Sequence, residues 1–253
     1  MKNSFPRSIA ACVLLVLAWS SLCLAQPAGT SRFLVIYTQV KPEMLTEWTD
    51  LQKNEVNPAL KKAGFTQRTV WQPLFGNTYE FVSISPLDKF ALFDGTNVFV
   101  RALGVEAAAR LSEKTRKCIT GQRLVITNRV DDLSLPPDPK NPPMVSLSTR
   151  VRVAPGKGPE YENWIKNDIL PHYKKAKAEG KLMGYTVGRR SFGSSNSERT
   201  QAQYYAKFAD LDGGLLLTRM LGQEAVTKLF AKAAGLSTTI ETVVRRRVAD
   251  LSF

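Results

Sequence analysis

One histidine, a set of strand arginines and a few aromatic side chains are where chemistry could reside in this 253-residue chain. His172 is the only histidine. Counted from Ile165 and Ile169, it falls on the inward face of an amphipathic helix. An imidazole placed there could ligate haem iron or act as a general base. The alternative is a structural role, partly buried or turned to the surface by Pro171. A single histidine excludes a multi-histidine zinc site, and no second metal ligand is recognisable. No G-x-S-x-G elbow offers a serine nucleophile.

The arginines form the second candidate. Segments that read as strands in the first half are apolar and aromatic, with Phe33, Val35, Tyr37, Val70, Trp71, Tyr79, Phe81 and Ile126. Their counterparts in the second half carry Arg150, Arg152, Arg189, Arg190, Lys207, Arg245, Arg246 and Arg247. Strand alternation sends half of these to each face. Cations on an enclosed face need Asp, Glu or a bound anion beside them. The expectation is a cavity greasy at one end and cationic at the other, suited to an amphipathic acid, with Trp71, Tyr185, Arg189, Lys207 and Arg246 as ligand-binding residues. Arginines at strand ends or in solvent are the alternative. Trp48 and Trp164 read as core residues. Gly156-Lys157-Gly158 lacks the spacing of a phosphate loop and reads as a turn.

The elements that must position these residues occur twice. Residues 33–62 lie over 146–175 without a gap, pairing Val40 with Val153, Pro42 with Pro155, Asn54 with Asn167 and Pro58 with Pro171. Residues 103–134 lie over 221–252 with about 13 of roughly 32 positions identical, a sign of internal duplication. In the first half, hydrophobic pattern and breakers predict a strand over 33–40, a helix over 42–62 disturbed at Pro58, a hairpin of strands 66–73 and 79–85, a helix over 101–117 and a strand over 122–130. The second half predicts strand 145–153, helix 158–178, strands 185–192 and 203–208 joined by a mobile polar connection at 193–200, helix 221–234 and strand 239–248. The order β-α-β-β-α-β is the ferredoxin-like unit. The expected architecture is therefore α+β: two tandem ferredoxin-like (βαββαβ) domains, 32–131 and 144–253, packed sheet to sheet as a fused pseudo-dimeric α/β barrel. The proline-rich stretch 132–143 is the expected linker.

The first residues read as an address. Lys2 and Arg7 precede an apolar run from Ile9 to Trp19 and a small-residue end at Ala25. This is the pattern of a secretory signal over 1–25, cleaved after Ala25. The mature chain is expected to be soluble, periplasmic or secreted, and without a stable membrane span. Cleavage removes Cys12 and Cys23, leaving Cys118 alone and excluding an intramolecular disulfide. Cys118 reads as a small buried apolar residue. The net charge of +13 falls to +11 without Lys2 and Arg7. In an exported protein that charge points away from nucleic acid, towards anionic lipid, envelope polymer or an acidic small molecule.

The first-helix signatures Glu47…Asn54-Glu55-Val56-Asn57-Pro58 and Glu160…Asn167-Asp168-Ile169-Leu170-Pro171, with the later Leu-Gly-x-Glu-Ala segments, carry a family resemblance. The chain resembles the dimeric α/β-barrel superfamily, and is similar to its NIPSNAP and antibiotic-biosynthesis-monooxygenase groups. The resemblance implies a cavity between helices and sheet. Its members include cofactor-free oxygenases, isomerases and haem-binding enzymes, so the cofactor is unknown and haem on His172 is one option. The leading expectation is an exported protein that binds a small apolar or amphipathic anion in a helix/sheet cavity. The alternatives are a cofactor-independent monooxygenase or isomerase, a haem enzyme, and a non-catalytic cell-envelope interaction protein. The pseudo-dimer lies within one chain, and further oligomerisation is left open.

Overall fold

The computed structural model describes residues 31–253, so the expected signal segment lies outside the described residues. Eight strands form one closed barrel: β1 (Arg32–Val40), β2 (Thr69–Pro73), β3 (Glu80–Pro86), β4 (Ile119–Arg129), β5 (Val145–Val153), β6 (Gly184–Phe192), β7 (Glu198–Tyr205) and β8 (Ser237–Arg247). Their order around the barrel is β1-β3-β2-β8-β5-β7-β6-β4, and every pairing is antiparallel.

This overturns the expected packing of two ferredoxin-like domains sheet against sheet. The halves meet edge to edge instead. At one seam Trp71 pairs with Arg247 and Gln72 with Arg246. At the other, Thr127 pairs with Arg190 and Arg129 with Gly188. The physical reason is the edge strand. Face-to-face sheets would leave β2, β4, β6 and β8 with rows of unpaired N–H and C=O groups, whereas closure pairs them. The β4–β6 seam is tight: a Cβ on Gly188 would sit 2.6 Å from the Thr127 Cγ2 methyl.

Helices cover the outside. In the first half α1 (Leu45–Leu51) runs through a wide turn at Gln52–Val56 into α2 (Asn57–Lys62), followed by α3 (Val98–Leu103) and α4 (Val105–Cys118). The second half repeats this with α5 (Gly158–Trp164), a wide turn at Ile165–Ile169, α6 (Leu170–Ala178), α7 (Leu216–Leu221) and α8 (Gln223–Ala231). Each wide turn sits just before its proline. Pro58 and Pro171 cannot donate to a carbonyl four residues back. Five-residue spacing, in which Asn57 N–H bonds Gln52 O and Leu170 N–H bonds Ile165 O, absorbs the clash without ending the helix. The expected single helix over 101–117 is divided at Gly104, whose φ of 83° leaves the helical region. The expected loop 193–200 is shorter, because Glu198 already opens β7.

Two straps tie the halves together. Residues 130–135 cross onto β6, and residues 248–253 cross onto β2. Val130 N–H bonds Val187 O at 2.8 Å, and Val248 N–H bonds Val70 O at 2.8 Å. Leu135 exchanges two backbone bonds with Tyr185, and Phe253 exchanges two with Arg68. Leu133 and Leu251 are both buried beneath their straps. The start of the expected linker is thus part of the second half's structure.

Candidate functional site

Alternation decides which side chains enter the barrel. Phe33, Val35 and Tyr37 of β1 pack with Trp71 of β2, Val82 and Ile84 of β3, Val125 of β4 and Tyr204 of β7. Trp71 and Tyr204 belong to strands that are not neighbours, and their rings lie 5.9 Å apart. They therefore meet across the interior. The opposite side of the same strands faces the helices, as with Val40, Val70 and Phe81 around Trp48 of α1.

The second half lines the interior differently. Arg190 of β6 is 2% exposed, and its Nη2 donates to the Tyr37 hydroxyl at 2.6 Å. Its Nη1 lies 3.3 Å from the Glu198 carboxylate. Arg150 of β5 bonds Glu198 at 3.2 Å and Glu241 at 3.1 Å. Arg245 of β8 donates from Nη1 to the Ser148 hydroxyl, and its buried Nε has no partner. The guanidinium of Arg123 stacks over the Tyr37 ring at 4.5 Å. Above these groups, at the end of the barrel where β1 finishes and β3 and β4 begin, a cavity of about 250 Å³ opens to solvent. Tyr37, Gln39, Glu80, Gly121, Gln122 and Arg123 line it.

Electrostatics follow the pairing. Burial works against the Glu198 carboxylate, but the Ser194 hydroxyl and the guanidiniums of Arg190 and Arg150 outweigh it and hold its pKa below the usual range. Burial lowers the pKa of Arg245, with Tyr37, Glu241 and Glu80 acting in the other direction. Burial also lowers that of Arg190. Both guanidiniums remain charged at neutral pH, since arginine ordinarily titrates far above it.

The helix–sheet space of the second half is full. Tyr161, Trp164, Ile165, Tyr173 and Tyr205 occupy it with Tyr185 and Val187. Tyr185 donates to Gln201 Oε1 at 2.6 Å, and the Gln201 amide donates in turn to the Tyr161 hydroxyl. Burial drives the Tyr161 pKa to about 12 and that of Tyr185 well above its ordinary value.

The residues singled out from sequence are dispersed. Trp71 lies in the barrel interior, 5% exposed. Tyr185 is buried on the helix side. Arg189 also faces the helices and is held by Glu162 of α5, with bonds of 2.7 Å to both carboxylate oxygens. Arg246 points outward to Gln72 Oε1 at 2.8 Å. Lys207 is exposed in the turn after β7, where its backbone N–H bonds Asp210. His172 is half-buried on α6. Sequence reasoning named Arg150, Arg190 and Arg245 as strand cations but did not select them. The signal was parity: Tyr185 and Val187 are the apolar, helix-facing residues of β6, so Arg190, not Arg189, belongs inside.

Among the described residues no group of three or more His, Cys, Asp or Glu is placed to hold a metal ion, and no helix is long and apolar enough to cross a membrane. The residues beside His172 do not fit a haem. α6 rests on the sheet through Tyr173 and Ala176, at most 4% exposed, and the Tyr173 ring lies 4.4 Å from that of Tyr185. A porphyrin there would have to displace both rings.

No family model matches the sequence, and no curated protein does. Solved structures do match in fold. A candidate monooxygenase from Lactobacillus acidophilus NCFM superposes with a TM-score of 0.59 at 11% identity, covering 88% of this chain and 95% of its own. An anthrone oxidase-like protein gives 0.57 at 12% identity, covering 88% and 92%. A candidate monooxygenase from Fusobacterium nucleatum gives 0.54 at 10% identity, covering 87% and 94%. The closed barrel with helices on its outside is thus a fold shared with these three structures. None of these three structures carries the likeness to NIPSNAP.

Proposed function

We propose that this chain binds a small amphipathic acid inside its barrel, entering through the mouth formed by Tyr37, Gln39, Glu80, Gly121 and Arg123. One observation carries the reading. The mouth cavity stands over an interior that is aromatic and aliphatic on the first-half wall and guanidinium-rich on the second-half wall. Such a division suits a ligand with an apolar body and a polar acidic end. The cavity lies at the barrel mouth and not in the expected helix/sheet space, which under α5 and α6 is filled by side chains.

Export remains part of the proposal and rests on the sequence of residues 1–25. A monooxygenase role is the second reading, favoured by the shared fold alone. It would place a reacting substrate in the same cavity.

Native mass spectrometry of the protein purified from its own host, with an absorption scan of the same sample, tests these readings. A co-purifying colourless acid supports the barrel ligand, and a mature mass starting at Gln26 supports export. A Soret band lost in His172→Ala would replace both the barrel site and the packing argument against haem. Empty, colourless protein that binds no added aromatic acid would leave the envelope-interaction reading standing.

A further inference from the structure

The enclosed guanidinium groups are not paired alike. Three guanidinium groups are enclosed, Arg150, Arg190 and Arg245, with side-chain or residue exposures of 17%, 2% and 8%. Two carboxylates meet them, Glu198 and Glu241. Arg150 bonds both and Arg190 bonds Glu198, so those two cations are neutralised. Arg245 bonds neither. Its one side-chain hydrogen bond goes to the neutral Ser148 hydroxyl, and its Nε–H is buried without a partner.

A buried cation with no carboxylate in contact is costly, and so is a buried N–H without an acceptor; Glu241 and Glu80 act on Arg245 only from beyond ion-pair distance. Both deficits fall on the same group. The repeat gives no structural reason for it: the counterpart of Arg245 in the first half is Thr127, which carries no charge. Arg245 does not itself line the mouth cavity, but Tyr37 and Glu80, which do, act on it electrostatically, as does Glu241. The wall nearby is aromatic, with Trp71 and Tyr204 packed across the interior.

We propose that Arg245 is the receptor for the acid group of the ligand, and that this ligand is a singly charged carboxylate or sulfonate on a flat apolar body. The inference rests on the barrel-ligand reading and deepens it. One negative charge supplies the contact ion pair that Arg245 lacks. Either acid group offers two oxygens that accept from Nε and Nη in parallel, the fork geometry that guanidinium offers best. A doubly charged phosphate would overcompensate beside Glu241 and Glu80. A neutral ligand would leave Nε unbonded.

The test uses a matched pair of probes, 2-naphthoate and the neutral 2-naphthamide, titrated calorimetrically into the mature protein. The expected result is binding of both, with naphthoate at least about tenfold tighter, as a charge-assisted bond in an enclosed site provides. Arg245→Gln should bring naphthoate down to the affinity of naphthamide and leave naphthamide unchanged, and Arg245→Lys should fall between. Equal affinities in the unaltered protein would overturn the role of Arg245 while leaving the cavity reading intact. Failure of both probes to bind would overturn the cavity reading and this inference with it. Because Arg245 is buried, its variants can fail to fold. The Nε–H resonance of Arg245 in the ¹⁵N-labelled unaltered protein decides independently. It should shift with naphthoate and not with naphthamide, and an unmoved resonance at saturating naphthoate rejects the assignment.

Discussion

Ser134 and Ser252 do the same work in opposite halves of the barrel. Each hydroxyl accepts a backbone N–H from the strand it crosses, Val187 for Ser134 and Val70 for Ser252, both at 3.0 Å. Each donates back to the carbonyl four residues earlier, Val130 at 2.7 Å and Val248 at 2.8 Å. The straps that carry them are equivalent segments of the two repeats. Each half therefore lends its terminal segment to the other, and the duplication is expressed in the tertiary contacts as well as in the sequence.

The straps should be matched in energy. Leu133→Ala and Leu251→Ala each remove a buried side chain, so each should cost about 2–5 kcal/mol. Ser134→Ala and Ser252→Ala leave a strand N–H unbonded and should each cost about 1–3 kcal/mol. Urea unfolding of the four variants checks this. If the two leucine variants differed little from the unaltered protein, the straps would not hold the barrel closed.

Glu198 should govern stability on the acid side. It is enclosed with Arg150 and Arg190, and Glu198→Gln leaves Arg190 without a carboxylate and Arg150 with Glu241 alone, a loss of about 3–5 kcal/mol by analogy with broken buried pairs. The sign with pH follows from its depressed folded-state pKa. The stabilisation is present above the unfolded carboxylate value of about 4.3 and is lost as pH falls through the lower folded value. Unfolding free energies measured from pH 6 downward should fall steeply in the unaltered protein and less steeply in Glu198→Gln. Parallel profiles would remove Glu198 from that role.

Much of this was legible in the sequence, and the failures share one cause. The duplication, the strand and helix order, and the crossing of a greasy wall with a cationic one all follow from residue type and spacing. The wide turns before Pro58 and Pro171 were visible as a disturbance whose form the prolines alone could not specify. Barrel closure was not legible, because a strand's sequence does not say whether its edge meets another edge or solvent. Which of two adjacent arginines enters the interior is a matter of parity. Arg189 and Arg190, or Arg245 and Arg246, differ by one position, and one position moves a side chain from the helix side to the interior. The apolar Tyr185 and Val187 carry that parity for β6, and the partners Glu162, Gln72, Glu198 and Ser148, brought in from other elements, fix it for both strands.

The buried tyrosines should define the alkaline limit. Burial raises the pKa of Tyr161 to about 12 and raises those of Tyr173, Tyr185, Tyr204 and Tyr205. The folded state thus favours the neutral phenol. That contribution is complete below the unfolded value of about 10 and is lost as pH rises above it towards the folded values. Absorbance at 295 nm followed with near-UV circular dichroism should show these five ionising together with the loss of tertiary structure. Their ionisation in a protein with an unchanged near-UV spectrum would mean that the helix–sheet core is open to water.

The β4–β6 seam makes the sharpest demand on a single residue. Gly188 sits opposite Arg129 and against the methyl of Thr127, where a Cβ would approach to 2.6 Å. Closure of the barrel at this point therefore depends on the missing side chain. Gly188→Ala should destabilise by about 1–3 kcal/mol as an overpacked site. Thr127→Ser removes the opposing methyl while keeping the hydroxyl, so the double variant should recover most of that loss. A double-mutant cycle by urea denaturation measures the coupling, which should be favourable and about 1 kcal/mol or more for groups in direct contact. Additive effects of the two substitutions would mean that the strands do not approach as the closed barrel requires. The halves would then be joined at the β2–β8 seam and the straps, with the interior open along β4 and β6.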